Sequence, residues 1–111
     1  MDVKMTDNSS IFKNAKDEAV ARALEAMGLT AERHAKENCP VDTGRLRNSI
    51  SHAVKTEEKA AYIGTNVEYA KYVETGDSTH HQTGQAHFLR DAAANHAEEY
   101  KRIAEIQLRN G

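Results

Sequence analysis

The sequence predicts an α+β fold, two long amphipathic helices packed on a small antiparallel β-sheet, on three observations. Helical periodicity runs from Ile11 to about Lys36 and again from about Ala86 to Leu108. Between them lie short runs with a period of two or with β-branched and aromatic residues. Pro40, Gly44, Gly64 and Gly76 punctuate those runs. A length of 111 residues fits a single domain over 1–111, with residues 1–10 flexible and 77–85 forming a polar loop.

The first helix is read from its wealth of Ala, Glu, Lys, Leu and Arg, with Ser9 or Ser10 as N-cap. Its apolar face passes through Phe12, Ala15, Ala19, Ala23, Met27, Ala31 and Ala35, in steps of three or four. Gly28 predicts a bend or break midway, since glycine costs roughly 1 kcal/mol relative to Ala in a helix interior. Pro40 ends the helix by forcing Cys39 out of helical geometry. Asp42 and Gly44 then turn the chain, Asp42 by bonding the backbone ahead of it and Gly44 by taking a conformation closed to other residues.

Next, Leu46, Ile50 and Val54 share one face with Asn48 and His52, opposite Arg45, Arg47, Ser49, Ser51 and Ala53, which predicts a half-buried strand. Thr56-Glu57-Glu58-Lys59 is a charged turn, and Ala61 to Thr65 a second strand that completes a hairpin. Tyr69, Tyr72 and Val73 lie at helical spacing within Val67 to Val73, and Gly76 ends that short element. Asp77 to Gln85, DSTHHQTGQ, forms a mobile loop of the kind that contacts partners. The last helix carries Leu89, Ala92, Ala93, His96, Ala97, Tyr100, Ile103, Ala104 and Gln107 on one stripe, and Asn110-Gly111 terminates it.

Composition narrows the function. The 15 basic and 17 acidic residues are interspersed and sum to −2, leaving no polycationic surface, so sequence-specific nucleic-acid binding is not expected. No stretch reaches 18 consecutive apolar residues and no apolar run of signal-peptide length opens the chain, which predicts no membrane partner and synthesis in the cytoplasm. Cys39 is the single cysteine, consistent with a reducing compartment. With 39% hydrophobic residues and no Trp, the core is thin, and neighbouring subunits would supply further burial.

Several groupings invite a chemical reading. Asp42-Thr43-Gly44 matches the catalytic triplet of homodimeric aspartic proteases, in which two Asp residues share one proton. In those enzymes an apolar strand precedes the triplet and a small residue follows; here a helix and Pro40 precede it and Arg45 follows, so a structural turn of Pro40, Asp42, Thr43 and Gly44 is the better reading. His80, His81 and His87, with Cys39 or Asp77, lack a Cys-x-x-Cys or His-Glu-x-x-His pair on one rigid element, and no metal or cofactor is expected. His34 and His96 fall on helical faces, where a packed or partly exposed histidine is the ordinary outcome. Glu57-Glu58 and Glu98-Glu99 read as solvated pairs, and the isolated glycines form no phosphate-binding fingerprint.

Four motifs occur in order: Cys39-Pro-Val-Asp-Thr-Gly-Arg-Leu-Arg-Asn-Ser-Ile50, Tyr62-Ile-Gly-Thr65, Tyr69-Ala-Lys-Tyr-Val-Glu-Thr-Gly76 and Ala86-His-Phe-Leu-Arg90. Together they resemble the tail-component family of tailed bacteriophages, over roughly Ala15 to Ala104. Relatives often carry Pro where this chain has Lys71, His87 and Asp91, and an aromatic where it has Thr75. The resemblance implies a virion protein without catalysis. It would form a homo-oligomeric ring, of about six subunits, at the head-tail junction, as a tail terminator or tail-completion protein between the tail-tube protein and the head-tail connector. Candidate interface residues are Arg45, Arg47, Tyr69, Tyr72, Glu74, His80, His81, Gln82 and Gln85, and assembly would take place in the bacterial host cytoplasm. Two other readings remain at this point: a small cytosolic oligomeric adaptor, and more remotely the protease through Asp42.

Overall fold

A 22-residue helix, α1 (Asp17–Asn38), forms the centre of the fold. The computed structural model describes residues 2–5, 9–39, 44–66 and 88–109. Around α1 are β1 (Asp2–Lys4), a short helix α2 (Gly44–Ser49), β2 (Ser51–Lys55), β3 (Ala60–Gly64), α3 (Phe88–Ala94) and α4 (Ala97–Arg109). The α+β class predicted from the sequence is the observed one.

The start of α1 lies later than the sequence predicted. Ser9–Phe12 form a 3-10 turn, and Lys16, not Ser9 or Ser10, is the N-cap, with extended backbone and no side-chain cap bond. Lys13 and Asn14 stand in a turn between the two, and Asn favours such turns because its side chain competes for the backbone. Phe12 thereby enters the core from outside the helix and is fully buried. Asp17 and Glu18 occupy the first turn of α1, where the positive end of the helix dipole favours them.

Along α1, Ala19, Ala23, Met27, Ala31 and Ala35 are buried as read from the sequence, and Val20, Leu24 and Gly28 widen the face. The helix runs through Gly28 without the predicted break. The absence of a side chain there admits His52: a Cβ on residue 28 would stand 2.8 Å from His52 Cδ2. Cys39 is extended, as the residue before a proline should be, and its N–H still closes on the carbonyl of Ala35. Pro40, Asp42 and Thr43 of the turn motif lie outside the described residues.

The predicted strand from Leu46 begins only at Ser51. Leu46 and Ile50 are four residues apart, a spacing that suits one helical turn as well as a strand face, and Gly44–Ser49 are helical with Leu46 buried. Gly44 has no left-handed φ, and a Cβ there would meet only Asn48 Nδ2 at 3.6 Å, so it does not need the special conformation expected of it. Arg45 and Arg47 therefore do not share a strand face. They are two apart on a helix, which turns them to nearly opposite sides, and both are exposed.

The β2–β3 hairpin forms as predicted. Its antiparallel register pairs His52 with Ile63 and Ala53 with Tyr62, and Thr56–Glu58 make the turn. Lys59 closes that turn in a left-handed conformation, φ 55°. A third strand, β1, which the sequence did not signal, pairs with the other side of β3, Val3 opposite Ile63, giving the order β1-β3-β2. Val3, Ile63 and His52 thus form one row on one face, while Lys4, Tyr62 and Ala53 form a row on the other.

The single last helix of the sequence reading is two helices. Asn95 and His96 interrupt it, and the hydroxyl of Tyr100 donates to the carbonyl of Ala92 across the break, at 2.5 Å. That carbonyl would bond the N–H of His96 in a continuous helix. Arg22 reaches the carbonyl of Gln107 while His34 meets Glu99, so α1 and α4 run antiparallel. Phe12, Leu24, Met27, Ile63, Phe88, Leu89 and Tyr100 fill the space between helices and sheet. The predicted element at Val67 to Val73 and the loop at Asp77 to Gln85 lie outside the described residues.

Candidate functional site

Where the hairpin meets α2, two of the sequence motifs come together. Ser49, the last residue of α2, donates its hydroxyl to the carbonyl of Leu46 at 2.6 Å and is hydrogen-bonded to the hydroxyl of Thr65, which is buried just beyond β3. A cleft of about 320 Å³ opens beside this pair, lined by Asp2, Ser49, Ser51, Gly64, Thr65 and Asn66. Polar side chains and backbone groups of these six residues make a surface for hydrogen bonding at the end of the sheet. Of the predicted interface residues, Arg45 and Arg47 stand on α2 next to this junction. Tyr69, Tyr72, Glu74, His80, His81, Gln82 and Gln85 lie outside the described residues.

A second polar cluster joins sheet to helix. His52 on β2 contacts Glu32 through Nδ1 at 2.8 Å and Glu25 through Nε2 at 2.6 Å. Glu25, Gly28 and Glu32 lie along one stripe of α1, so the imidazole sits over the glycine with a carboxylate at either end. Burial alone would pull the His52 pKa down, but the hydrogen bonds and charges of Glu25 and Glu32 outweigh it and raise the value above 6.5. Burial likewise pushes Glu32 up, and its bonds to His52 and Lys36 more than reverse this, so its carboxyl titrates below the usual range. Carboxylate oxygens at both ring nitrogens favour the imidazolium form of His52, which alone can donate to both.

A third cluster joins α1 to α4. The rings of His34 and His96 stack in parallel, centroids 3.6 Å apart and planes 1° from each other, with the Tyr100 ring 6.3 Å from each. Glu99 Oε1 lies 2.6 Å from His34 Nε2 and 3.9 Å from His96 Nδ1. The bond to His34 is the main reason the Glu99 carboxyl titrates below the usual range. Sequence reasoning placed both histidines on helical faces and left their partners open; the only local signal was the spacing of His96 and Glu99 by one turn.

Cys39 is buried, and burial pushes its thiol up to about 11, against the pull of the Arg47 charge. A thiol so protonated is a poor nucleophile and metal ligand. Leu29 and Ile106 are the large apolar side chains left exposed among the described residues. No described helix is long and apolar enough to cross a membrane.

Comparison with known proteins bears on what these surfaces serve. No curated protein and no solved structure matches the chain. The family model of the bacteriophage HK97-gp10-like tail component matches residues 4–76. That stretch takes in α1, α2 and the hairpin, with three of the four motifs, the Ser49–Thr65 junction and the His52 cluster. The chain therefore belongs to the HK97-gp10-like family of bacteriophage tail components.

Proposed function

We propose that this chain is a structural protein of the virion that forms a ring at the head-tail junction and acts there as a tail terminator or tail-completion protein. The observation that carries the reading is membership of a tail-component family through the segment that builds the sheet and its α2 junction. The described sheet has three strands, and its outer strands β1 and β2 each lack a further strand partner among the described residues. Unpaired strand edges are templates for association, and a closed ring of subunits uses them up.

In this reading the protein binds and does not catalyse. Arg45 and Arg47 on α2, with Tyr69, Tyr72, Glu74 and the residues His80, His81, Gln82 and Gln85, contact neighbouring copies, the tail-tube protein and the head-tail connector. The whole chain acts as one domain, and occupancy of the growing end of the tube limits its length. Exposed Leu29 and Ile106 add apolar contact area to a surface that is otherwise charged.

The test is the solution mass of the purified protein by light scattering across a concentration series, with negative-stain imaging of each species. A ring of about six subunits, formed alone or on addition of tail-tube protein, is the expected result. A stable monomer that never joins tail tubes would overturn the reading.

A further inference from the structure

We propose that His34, His96 and Glu99 form a binding site for one divalent transition-metal ion, of which zinc is the best fit, and that the ion clamps α1 to the start of α4. One ligand atom from each residue lies within 4.8 Å of the other two. The ligands come from separate elements that the fold holds together: His34 from the C-terminal part of the 22-residue α1, His96 from the break just before α4, and Glu99 from the first turn of α4.

The distances suit an ion of that size. Zinc bonds nitrogen and carboxylate oxygen at about 2.0–2.2 Å, so tetrahedral ligand atoms stand about 3.4 Å apart. The two separations from Glu99 Oε1, 2.6 Å to His34 Nε2 and 3.9 Å to His96 Nδ1, straddle that value. Because the two rings stack in parallel planes and an imidazole nitrogen bonds a metal in its own ring plane, binding requires the His96 ring to turn out of the stack toward the ion held by His34 and Glu99.

The charge pattern also calls for a cation. A proton between Glu99 and His34 satisfies one contact and leaves the stacked His96 ring facing the same carboxylate at longer range. An ion among the three satisfies them together, and two imidazoles with one carboxylate make a donor set typical of zinc and other borderline divalent ions. The other nitrogen of His34, Nδ1, lies 3.8 Å from Glu37 Oε2. At that distance Glu37 makes no hydrogen bond to the ring and acts on it only through its charge. Three protein ligands leave a fourth position for water.

The experiment titrates the chelator-stripped full-length protein with Co²⁺, followed by its visible absorption, and then displaces Co²⁺ with Zn²⁺. One equivalent should bind. His96→Ala and Glu99→Gln should each weaken binding by at least about ten-fold. His87→Ala, at a histidine outside both the cluster and the proposed interface, should bind as the parent does. Circular dichroism identifies the variants that remain folded, and Glu99→Gln, at a side chain 43% exposed, is the variant expected to keep its fold. Absence of a stoichiometric Co²⁺ band, undiminished binding in folded Glu99→Gln, or loss of binding in His87→Ala would each overturn the proposal.

Discussion

The imidazole of His52 lies directly against Gly28, so closely that a methyl group on residue 28 would come within 2.8 Å of its Cδ2 atom. Glu25 and Glu32, one on each side of the glycine along α1, hold the two ring nitrogens at 2.6 and 2.8 Å. A helical glycine is here a seat for a cation.

Gly28→Ala sets two effects against each other. Alanine favours the helix by about 1 kcal/mol, whereas forcing the ring from between two carboxylates costs about 1–3 kcal/mol by overpacking. The expected net effect is a loss of about 1 kcal/mol in urea-unfolding free energy. In a His52→Ala background the same change should stabilise, and a double-mutant cycle measures the coupling. Equal effects in both backgrounds would refute the contact.

Stability should fall as pH rises above neutrality. His52 has a raised pKa in the folded state, so its contribution is fully present below its unfolded value, 6.5, and is lost as pH climbs through the folded value. Glu32, held ionised by a lowered pKa, keeps its charge throughout that window, with Lys36 beside it. Urea midpoints measured from pH 6 upward should decline in the parent protein, and His52→Gln should flatten that part of the profile.

Tyr100→Phe removes a hydroxyl that is buried against the carbonyl of Ala92. Burial also holds that phenol protonated well above its usual range. Leaving the carbonyl unsatisfied should cost about 1–3 kcal/mol, read by chemical denaturation. The change should be felt at the break between α3 and α4, where amide exchange of Asn95 and His96 should quicken.

Cys39 should resist thiol reagents in the native state. Its side chain is buried and its thiol titrates at about 11, so little thiolate exists near pH 8. Reaction with a disulfide reagent should be slow in buffer and fast in denaturant. A fast native reaction would mean that the core around Cys39 opens readily.

The parts of the fold legible in the sequence were those set by local periodicity. The alanine face of α1 and the hairpin turn at Thr56 to Lys59 follow from neighbours three, four or two residues away. Leu46 and Ile50 misled because a separation of four satisfies a helical turn and a strand face alike, and only packing decides between them. The break at Asn95 depends on a tyrosine hydroxyl donated from a later turn of α4. Gly28 reads locally as a weakness, and its role appears only when β2 is laid across it. The candidate site was the least legible: His34 and Glu99 are 65 residues apart, and nothing near either one announces the other.

The seat beneath His52 also settles how the sheet can lie on the helix. Side chains alternate between faces of a strand, so sliding β2 by a single residue would turn His52 outward and bring Ser51 or Ala53 over Gly28. Neither could answer two carboxylates at once, and Glu25 and Glu32 would be left facing a surface with no charge to offer. One histidine thus acts as an alignment key, making the neighbouring, equally well-hydrogen-bonded arrangements of the hairpin unfavourable before any partner subunit arrives.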